Sequence, residues 1–597
     1  MMSLLAFAAA SLASPPAPDY RARLPQDEVI YFLLPDRFEN GDPRNDRGGY
    51  KGGRLQTGFD PAARGFYHGG DLKGLTRRLD YIQGLGVTAI WVGPIFVNKP
   101  VQGPPGQESA GYHGYWITDF TRVDPHLGTN EDFARLVEAA HARGMKVYMD
   151  IIANHTADVI KYRECEAARS CPFRSVADYP YQRRGGIAGA PINPGFAGEQ
   201  ELSAANFGRL TKPSYAYDVF VPKGEEHVKK PDWLNDPLFY HNRGDSTFEG
   251  ESVTTGDFSG LDDLFTENPR VVAGMIDIYG NWIDRFGIDG FRVDTAQHVN
   301  PQFWAAFVPA MTERARVRGI PNFTVFGEAF TQEMDPAHTA VHTRVDRFPA
   351  MLDFPFAVAV IDTVARNKGT SELARLFRAD PIYDGGAKGA QQLPTFLGNH
   401  DAGRFAMFVR QANPQASDAE QLARVELGYA MLLTLRGVPT IYSGDEQGFA
   451  GTGGDQSARQ DMFASKVAEY NSDRLVGTTA TTARANFDTR HPLYRAIAAL
   501  AKIRSASQAL RRGLQTIRFA ADKPGLFAVS RFDPDDGRET LLLFNTSGQP
   551  LTQNVTVETR SAAFSAAVGP CPARAQAPGS VRVTLPAFGY AVCHAAR

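Results

Sequence analysis

A regular alternation of apolar strands and amphipathic helices restricts the fold of this chain more than any other feature. Val29–Leu34, Val87–Pro94, Met145–Ile152, Phe323–Glu328, Met351–Phe356, Leu393–Gly398 and Val438–Tyr442 are short, mainly apolar runs of strand length, and Ile288–Val293, where apolar and polar residues mix, reads as a strand covered on both faces. Helical patterns lie between them, over Leu72–Leu85, Glu131–Arg143, Val271–Phe286, Phe303–Arg318 and a stretch ending near Leu435. Gly86, Gly144 and Gly287 stand just before three of the strands. Strand, helix and strand at short intervals is the rhythm of a parallel sheet covered on both faces. Eight such strands are the count that closes a (β/α)8 barrel, so the fold class is α/β.

Two stretches break the rhythm. Asn154 to Pro269 is rich in Pro, Gly, Asp and Tyr and has little periodicity. It is too long for a loop in a compact domain and reads as an insertion domain after the third strand. From Gly513 onward, Phe527–Phe532, Glu539–Phe544, Val555–Val557 and Val581–Leu585 are short β-type runs between turns, as in a small antiparallel β-domain. The expected layout is a leader over 1–18, barrel over 19–153, insertion domain over 154–269, barrel again over 270–512 and a C-terminal β-domain over 513–597. A chain of 597 residues exceeds one ordinary core, which agrees with several domains.

The leader is a short apolar run with small residues up to Ala13, followed by Ser14-Pro-Pro-Ala-Pro18. It resembles a signal peptide, although the usual basic start is missing, and it is too short to span a bilayer. Cys165 lies near Cys171, and Cys571 and Cys593 are both near the C-terminus. Two local pairs suggest two disulfides and an exported protein, periplasmic or extracellular. The spacing does not suit a zinc site of paired Cys-x-x-Cys type, while free buried thiols stay open. A net charge of −3 argues against nucleic acid or an anionic membrane as partner. There is no membrane-spanning run.

The chemistry gathers at the strand ends. Arg292 and Asp294 are two apart at the end of the fourth strand, so both leave it on one face. A guanidinium beside the carboxylate favours its ionised form, as a carboxylate nucleophile requires, although a structural ion pair would look the same. Asp150-Ile-Ile-Ala-Asn154-His155 ends the third strand, Gly327-Glu328 the fifth and Asn399-His400-Asp401 the seventh. Active sites of such barrels lie at this carboxyl-terminal face. Phosphate loops, Gly-x-Ser-x-Gly elbows and His-Glu-x-x-His motifs are missing. Three carboxyls in one cleft suit glycoside cleavage instead, with Glu328 raised by burial and its neighbours toward the pKa of a general acid.

These stretches resemble the signature regions of the α-amylase family, glycoside hydrolase family 13, from about Val29 to Tyr442, and most of all its bacterial exported members. The resemblance implies that Asp294 is the nucleophile, Glu328 the acid/base and Asp401 the transition-state stabiliser. It implies retention through a covalent glycosyl-enzyme, with the two working carboxyls about 5–5.5 Å apart. His155, Arg292, His298 and His400 resemble the family's contacts to the sugar. So do His113 and Tyr115 in Gly111-Tyr-His-Gly-Tyr-Trp116, and Asp455 and Arg459 in Gly453-Gly-Asp-Gln-Ser-Ala-Arg. Gln297 departs from the Lys that often precedes the family's His at this point, which touches aglycone binding rather than the chemistry.

Calcium is the implied cofactor, at two places lined by oxygen. The first would use Asn154, Asp263 and the carbonyl of His298. The second resembles a calcium loop of cyclodextrin-forming relatives and would use Asn40, Asp42, Asn45 and Asp46 with Gly69 and Asp71, although such a cluster also makes a plain turn. The expected activity is endo-acting hydrolysis of internal α-1,4 bonds in starch-like α-glucans. A cyclodextrin hydrolase, an exo-acting α-glucosidase and a glucan transferase are rivals on the same machinery. A carbohydrate-binding scaffold without catalysis is the rival of another class. The room before Val29 argues against an N-terminal β-domain of cyclodextrin hydrolases, and the absence of further C-terminal domains argues against a transferase.

Overall fold

The computed structural model describes residues 19–166 and 170–596, so the leader lies outside the described residues. Eight strands form the central sheet: β1 (Ile30–Leu33), β2 (Ala89–Val92), β3 (Lys146–Ile152), β4 (Gly290–Asp294), β5 (Thr324–Gly327), β6 (Ala350–Met351), β7 (Pro394–Thr395) and β8 (Val438–Tyr442). Neighbours pair in parallel in the order β6-β5-β4-β3-β2-β1-β8-β7. A parallel bridge from Asp353 to Thr395 joins the two ends and closes the barrel.

Alternation along the strands sorts side chains between two cores. Ile30, Phe32, Trp91, Tyr148 and Phe326 fill the interior with Phe396 and Tyr442. Tyr31, Leu33, Ile90, Val147, Met149, Phe291 and Val293 belong to the large cluster beneath the helices. Arg292 and Asp294 therefore share the inward phase of β4, as their spacing requires. Gly290 opens that strand where no side chain fits, since a Cβ would come within 2.4 Å of the Thr324 carbonyl.

The late strands are shorter than the apolar runs suggest. Met351–Phe356 does not continue as a strand: Asp353 accepts from Phe356 N at 3.1 Å and caps a helix over Phe354–Val360, with Pro355 in its first turn. The run Leu393–Gly398 gives only Pro394–Thr395. The helical pattern over Leu72–Leu85 is two helices, Leu72–Arg77 and Leu79–Gly84. An antiparallel hairpin of Phe96–Asn98 with Ile117–Val123 in the second βα loop has no counterpart in the expected elements.

The insertion is mostly irregular, with one short ladder of Lys161–Tyr162 on Val219–Phe220. Its Tyr181, Tyr215, Tyr240 and Phe265 join the main hydrophobic cluster. The C-terminal β-domain has strands β9 (Gln515–Phe519), β10 (Leu526–Phe532), β11 (Glu539–Asn545), β12 (Leu551–Thr556), β13 (Phe564–Val568), β14 (Ser580–Leu585) and β15 (Tyr590–Ala595), in two antiparallel sheets. Phe527, Val529, Leu542 and Phe544 face the barrel cluster, whereas Ala528, Leu541 and Leu543 build a core with Val581 and Val583. Disulfides join Cys165 to Cys171 and Cys571 to Cys593.

Candidate active site

Arg292 is fully buried and spreads its guanidinium among three carboxyls. Nη1 lies 2.8 Å from Asp150 Oδ1 and 2.8 Å from Asp294 Oδ1, and Nη2 lies 2.8 Å from Glu328 Oε2. Trp91 Nε1 donates to Asp150 at 2.9 Å, so Asp150 fixes the guanidinium from below. Immediately after Asp294 the chain turns left-handed at Thr295, with φ 47°, an unfavourable conformation for a β-branched residue. That turn aims Thr295 N at Glu328 Oε2, 3.3 Å away. Asp401 sits opposite, 2.8 Å from Arg459 Nη2.

Crowded carboxyls and burial decide the charges. Burial, opposed by Arg292 and reinforced by Asp294 and Asp401, raises Glu328 to about 8. Asp294 is also raised, because burial outweighs the guanidinium. The expectation that Arg292 alone would settle its ionisation thus left out the stronger influence, the loss of water around the carboxyl. Asp401 goes the other way: burial would raise it, but His400, Arg459 and Arg292 together lower it. The same cleft therefore holds a carboxyl that keeps its proton and one that has lost it, the division acid–base chemistry needs.

A groove of about 440 Å³ runs over these groups. Its walls include His113, Tyr115, His155, Asp294, His298, Glu328, Asp401, Asp455 and Arg459. Tyr115 lies between His113 and His400, ring centroids 5.5 and 5.6 Å away, and its hydroxyl is 2.8 Å from His400 Nε2. His113 Nδ1 accepts from Tyr115 N at 3.1 Å. Burial lowers His155 and His400 to about 3, so both rings are neutral hydrogen-bonding groups. His298 Nδ1 donates to the Val253 carbonyl at 2.9 Å, which ties the wall to the insertion. Arg459 contacts protein groups throughout: Nε donates to the His400 carbonyl, Nη1 to Tyr112 Oη, and Nη2 meets both Asp401 and Asp455.

Residues 32–513 match the model of the alpha amylase catalytic domain. The chain belongs to the α-amylase family. It is 44% identical to the alpha-amylase of Streptomyces lividans over its whole length, but spans only 64% of that protein. Among solved structures it resembles an Anoxybacillus alpha-amylase at 27% identity and TM-score 0.68, covering 96% of this chain and 99% of that one. It equally resembles CldA, a cyclomaltodextrin glucanotransferase with a three-domain ABC distribution, at 25% identity and TM-score 0.69, with the same coverage. A three-domain layout therefore does not separate hydrolases from transferases, and the expectation based on missing C-terminal domains is withdrawn.

Of the other residues around the three carboxyls, Asp150 is marked in the sequence only by its strand-end position, and the rest carry no mark. Asp150 is raised to about 7 by burial, against the pull of Arg292 and with Asp294 adding to it. Its place in Asp150–His155 at a strand end was the available signal. Phe258 stacks on His155 with centroids 5.6 Å apart, while Gln102 and Phe330 complete the groove wall. Phe258 and Phe330 lie in irregular segments and Gln102 in a two-residue strand, Val101–Gln102, so no period identifies them.

The two places expected to take calcium differ. Among the described residues no three His, Cys, Asp or Glu side chains are grouped to hold a metal, so a site must rely on amide and carbonyl oxygens. Leu264 N donates to the Asn154 carbonyl at 2.8 Å, which puts Asn154 beside Asp263. The Asp263 carboxylate, however, faces His241 Nδ1 at 2.6 Å, and His241 in turn meets Glu267 at 3.0 Å. In the Asn40 loop, Oδ1 of Asn40 and of Asn45 are buried without a partner. A Cβ on Gly69 would lie 2.7 Å from Asp46 Oδ1 and 2.8 Å from Asn40 Nδ2, so glycine keeps a cradle open there. Asp71 accepts from Gly41 N and Asp42 N, whereas the Asp42 carboxylate turns to Arg44 and Lys73, 2.7 Å from each. Unsatisfied oxygens in a closed loop fit a hard cation.

Proposed function

We propose that this chain is an exported, retaining α-glucan hydrolase that cuts internal α-1,4 bonds of starch-like chains. One observation carries the reading: a single buried guanidinium, Arg292, bridges Asp294 and Glu328 at the floor of a groove that Asp401 also enters. Two carboxyls on one guanidinium make a close pair, in keeping with a retaining mechanism. Asp294 attacks the anomeric carbon as Glu328 passes its proton to the leaving oxygen. Glu328 then takes a proton from the water that releases the sugar. Asp401, held ionised, supports the positive charge that develops on the ring. The imidazoles of His113 and His155, both kept neutral by burial, and the ring of Tyr115 hold the sugar, while buried His400 braces the Tyr115 hydroxyl from behind. Family likeness to alpha-amylases supports the endo-acting mode, and the two disulfides support export. The separate core of β9–β15 supports the domain boundary near 513.

Calcium would be held by the oxygens of Asn40, Asn45, Asp46, Gly69 and Asp71, tying the loop to the barrel as a structural cross-link. At Asn154, Asp263 and the His298 carbonyl a cation would have to compete with His241 for Asp263.

Starch digestion with an Asp294→Asn control tests the proposal. Short maltooligosaccharides from the natural chain and none from the variant are expected; sugar binding without turnover in both would favour the scaffold. The likeness to CldA gives a second reading, glucan transfer. Cyclic products from starch would select it, and glucose alone from every substrate would select an exo-acting enzyme.

A further inference from the structure

A cavity of about 190 Å³, with apolar inner walls and Thr331, Gln332 and Arg366 at its solvent side, adjoins the groove on the side of Glu328 and Asp401. Phe330 lines both spaces and follows Glu328 by two residues; Ala402, next to Asp401, lines the cavity as well. No residue of β4, which carries Asp294, contributes to it. An edge-to-face series leads inward: Phe330 on Phe354 with centroids 5.2 Å apart, then Phe354 on Phe396 at 4.9 Å. Phe330 is 36% exposed although its neighbours in this series are buried. The buried inner wall of Phe354, Ala357, Phe396 and Leu397 offers a sugar no side-chain hydrogen-bond partner, and buried hydroxyls without partners are costly. An apolar cavity of about 150 Å³ is already large enough for a benzene ring. The acid/base stands on the side from which the leaving group departs, so a group entering here would be the aglycone.

We propose that this cavity receives an aromatic aglycone, making α-maltosides of arylmethyl alcohols substrates of the enzyme. The inference rests on the hydrolase reading above. In that reaction the bond from the anomeric carbon to the benzyl oxygen breaks and Asp294 bonds to the carbon. The Glu328 proton goes to benzyl alcohol, and water later releases maltose.

The test compares benzyl with methyl α-maltoside. A kcat/KM at least ~10-fold higher for the benzyl compound, mainly through KM, is expected from burying the ring. Val358→Phe, which fills the cavity from its half-buried rim, should abolish the difference while starch hydrolysis persists. Phe408→Ala, which enlarges the cavity, should move the preference toward a naphthylmethyl aglycone. Equal kcat/KM for the two glycosides with starch hydrolysis intact overturns the proposal, as does a preference that survives Val358→Phe in a folded variant. If starch is not cleaved either, the hydrolase reading is what fails. The cavity is then judged by calorimetry: equal affinity for benzyl and methyl α-maltoside overturns it, and tighter benzyl binding that Val358→Phe removes supports it.

Discussion

Arg459 holds Asp401 from a separate loop, Nη2 to Oδ1 at 2.8 Å, while its Nε fixes the carbonyl of the preceding His400. Because all three guanidinium nitrogens are engaged with protein groups, Arg459 acts chiefly by setting the position and charge of Asp401. Arg459→Gln is expected to lower kcat by about 100-fold, the cost of a displaced catalytic group, with a smaller change in KM. Losing the cation also raises Asp401 from its lowered position, but Asp294, which burial already raises, sets the acidic limb of the kcat/KM profile, so that limb should move little. A loss confined to KM would assign Arg459 to sugar binding alone.

On the proposed mechanism Glu328 gives the alkaline limb. It must be protonated to donate, and burial with its acidic neighbours raises it to about 8. The donor is thus intact below that value, and kcat/KM should fall as pH rises through it. Glu328→Gln should lose about 10²- to 10⁴-fold in kcat on starch and no longer show this limb.

Arg292 has a structural as well as a chemical part. Replacing it with Met leaves Asp150, Asp294 and Glu328 buried without their shared cation. Breaking a buried pair in this way costs about 3–5 kcal/mol, measurable by urea unfolding at neutral pH. At acidic pH, where these carboxyls take up protons, the deficit should shrink.

Calcium is testable apart from activity. If the Asn40 loop binds it, saturation at a hundred times the dissociation constant adds about 2.7 kcal/mol of stability. A chelator should lower the melting temperature, and added calcium should restore it. Gly69→Ala, whose methyl group would crowd Asp46 and Asn40, should remove most of that response. Retention of the full response in the variant would move the ion elsewhere.

The barrel was legible because its strands are continuous apolar runs with helices of regular period between them. The carboxyls were legible because each ends such a run. Asp353 shows where this reading stops. It lies inside the apolar run Met351–Phe356, yet its side chain caps the next helix, so the strand stops at Met351. Phe258 and Phe330 were not legible, since a wall residue on an irregular segment is defined by contacts far along the chain. Nor could spacing reveal that burial outweighs Arg292 at Asp294: neighbouring charge can be read from sequence, but the loss of water around it cannot.

The pairing of β1 with β8 has a consequence for how the protein is made. Ile30 finds its partner in Thr440, roughly four hundred residues later. A chain growing on the ribosome therefore carries an open, apolar β1 edge throughout most of its synthesis. Such an edge invites pairing with other chains. Release as far as Tyr442, together with a chaperone that shields the first strand until then, should set the yield of soluble protein.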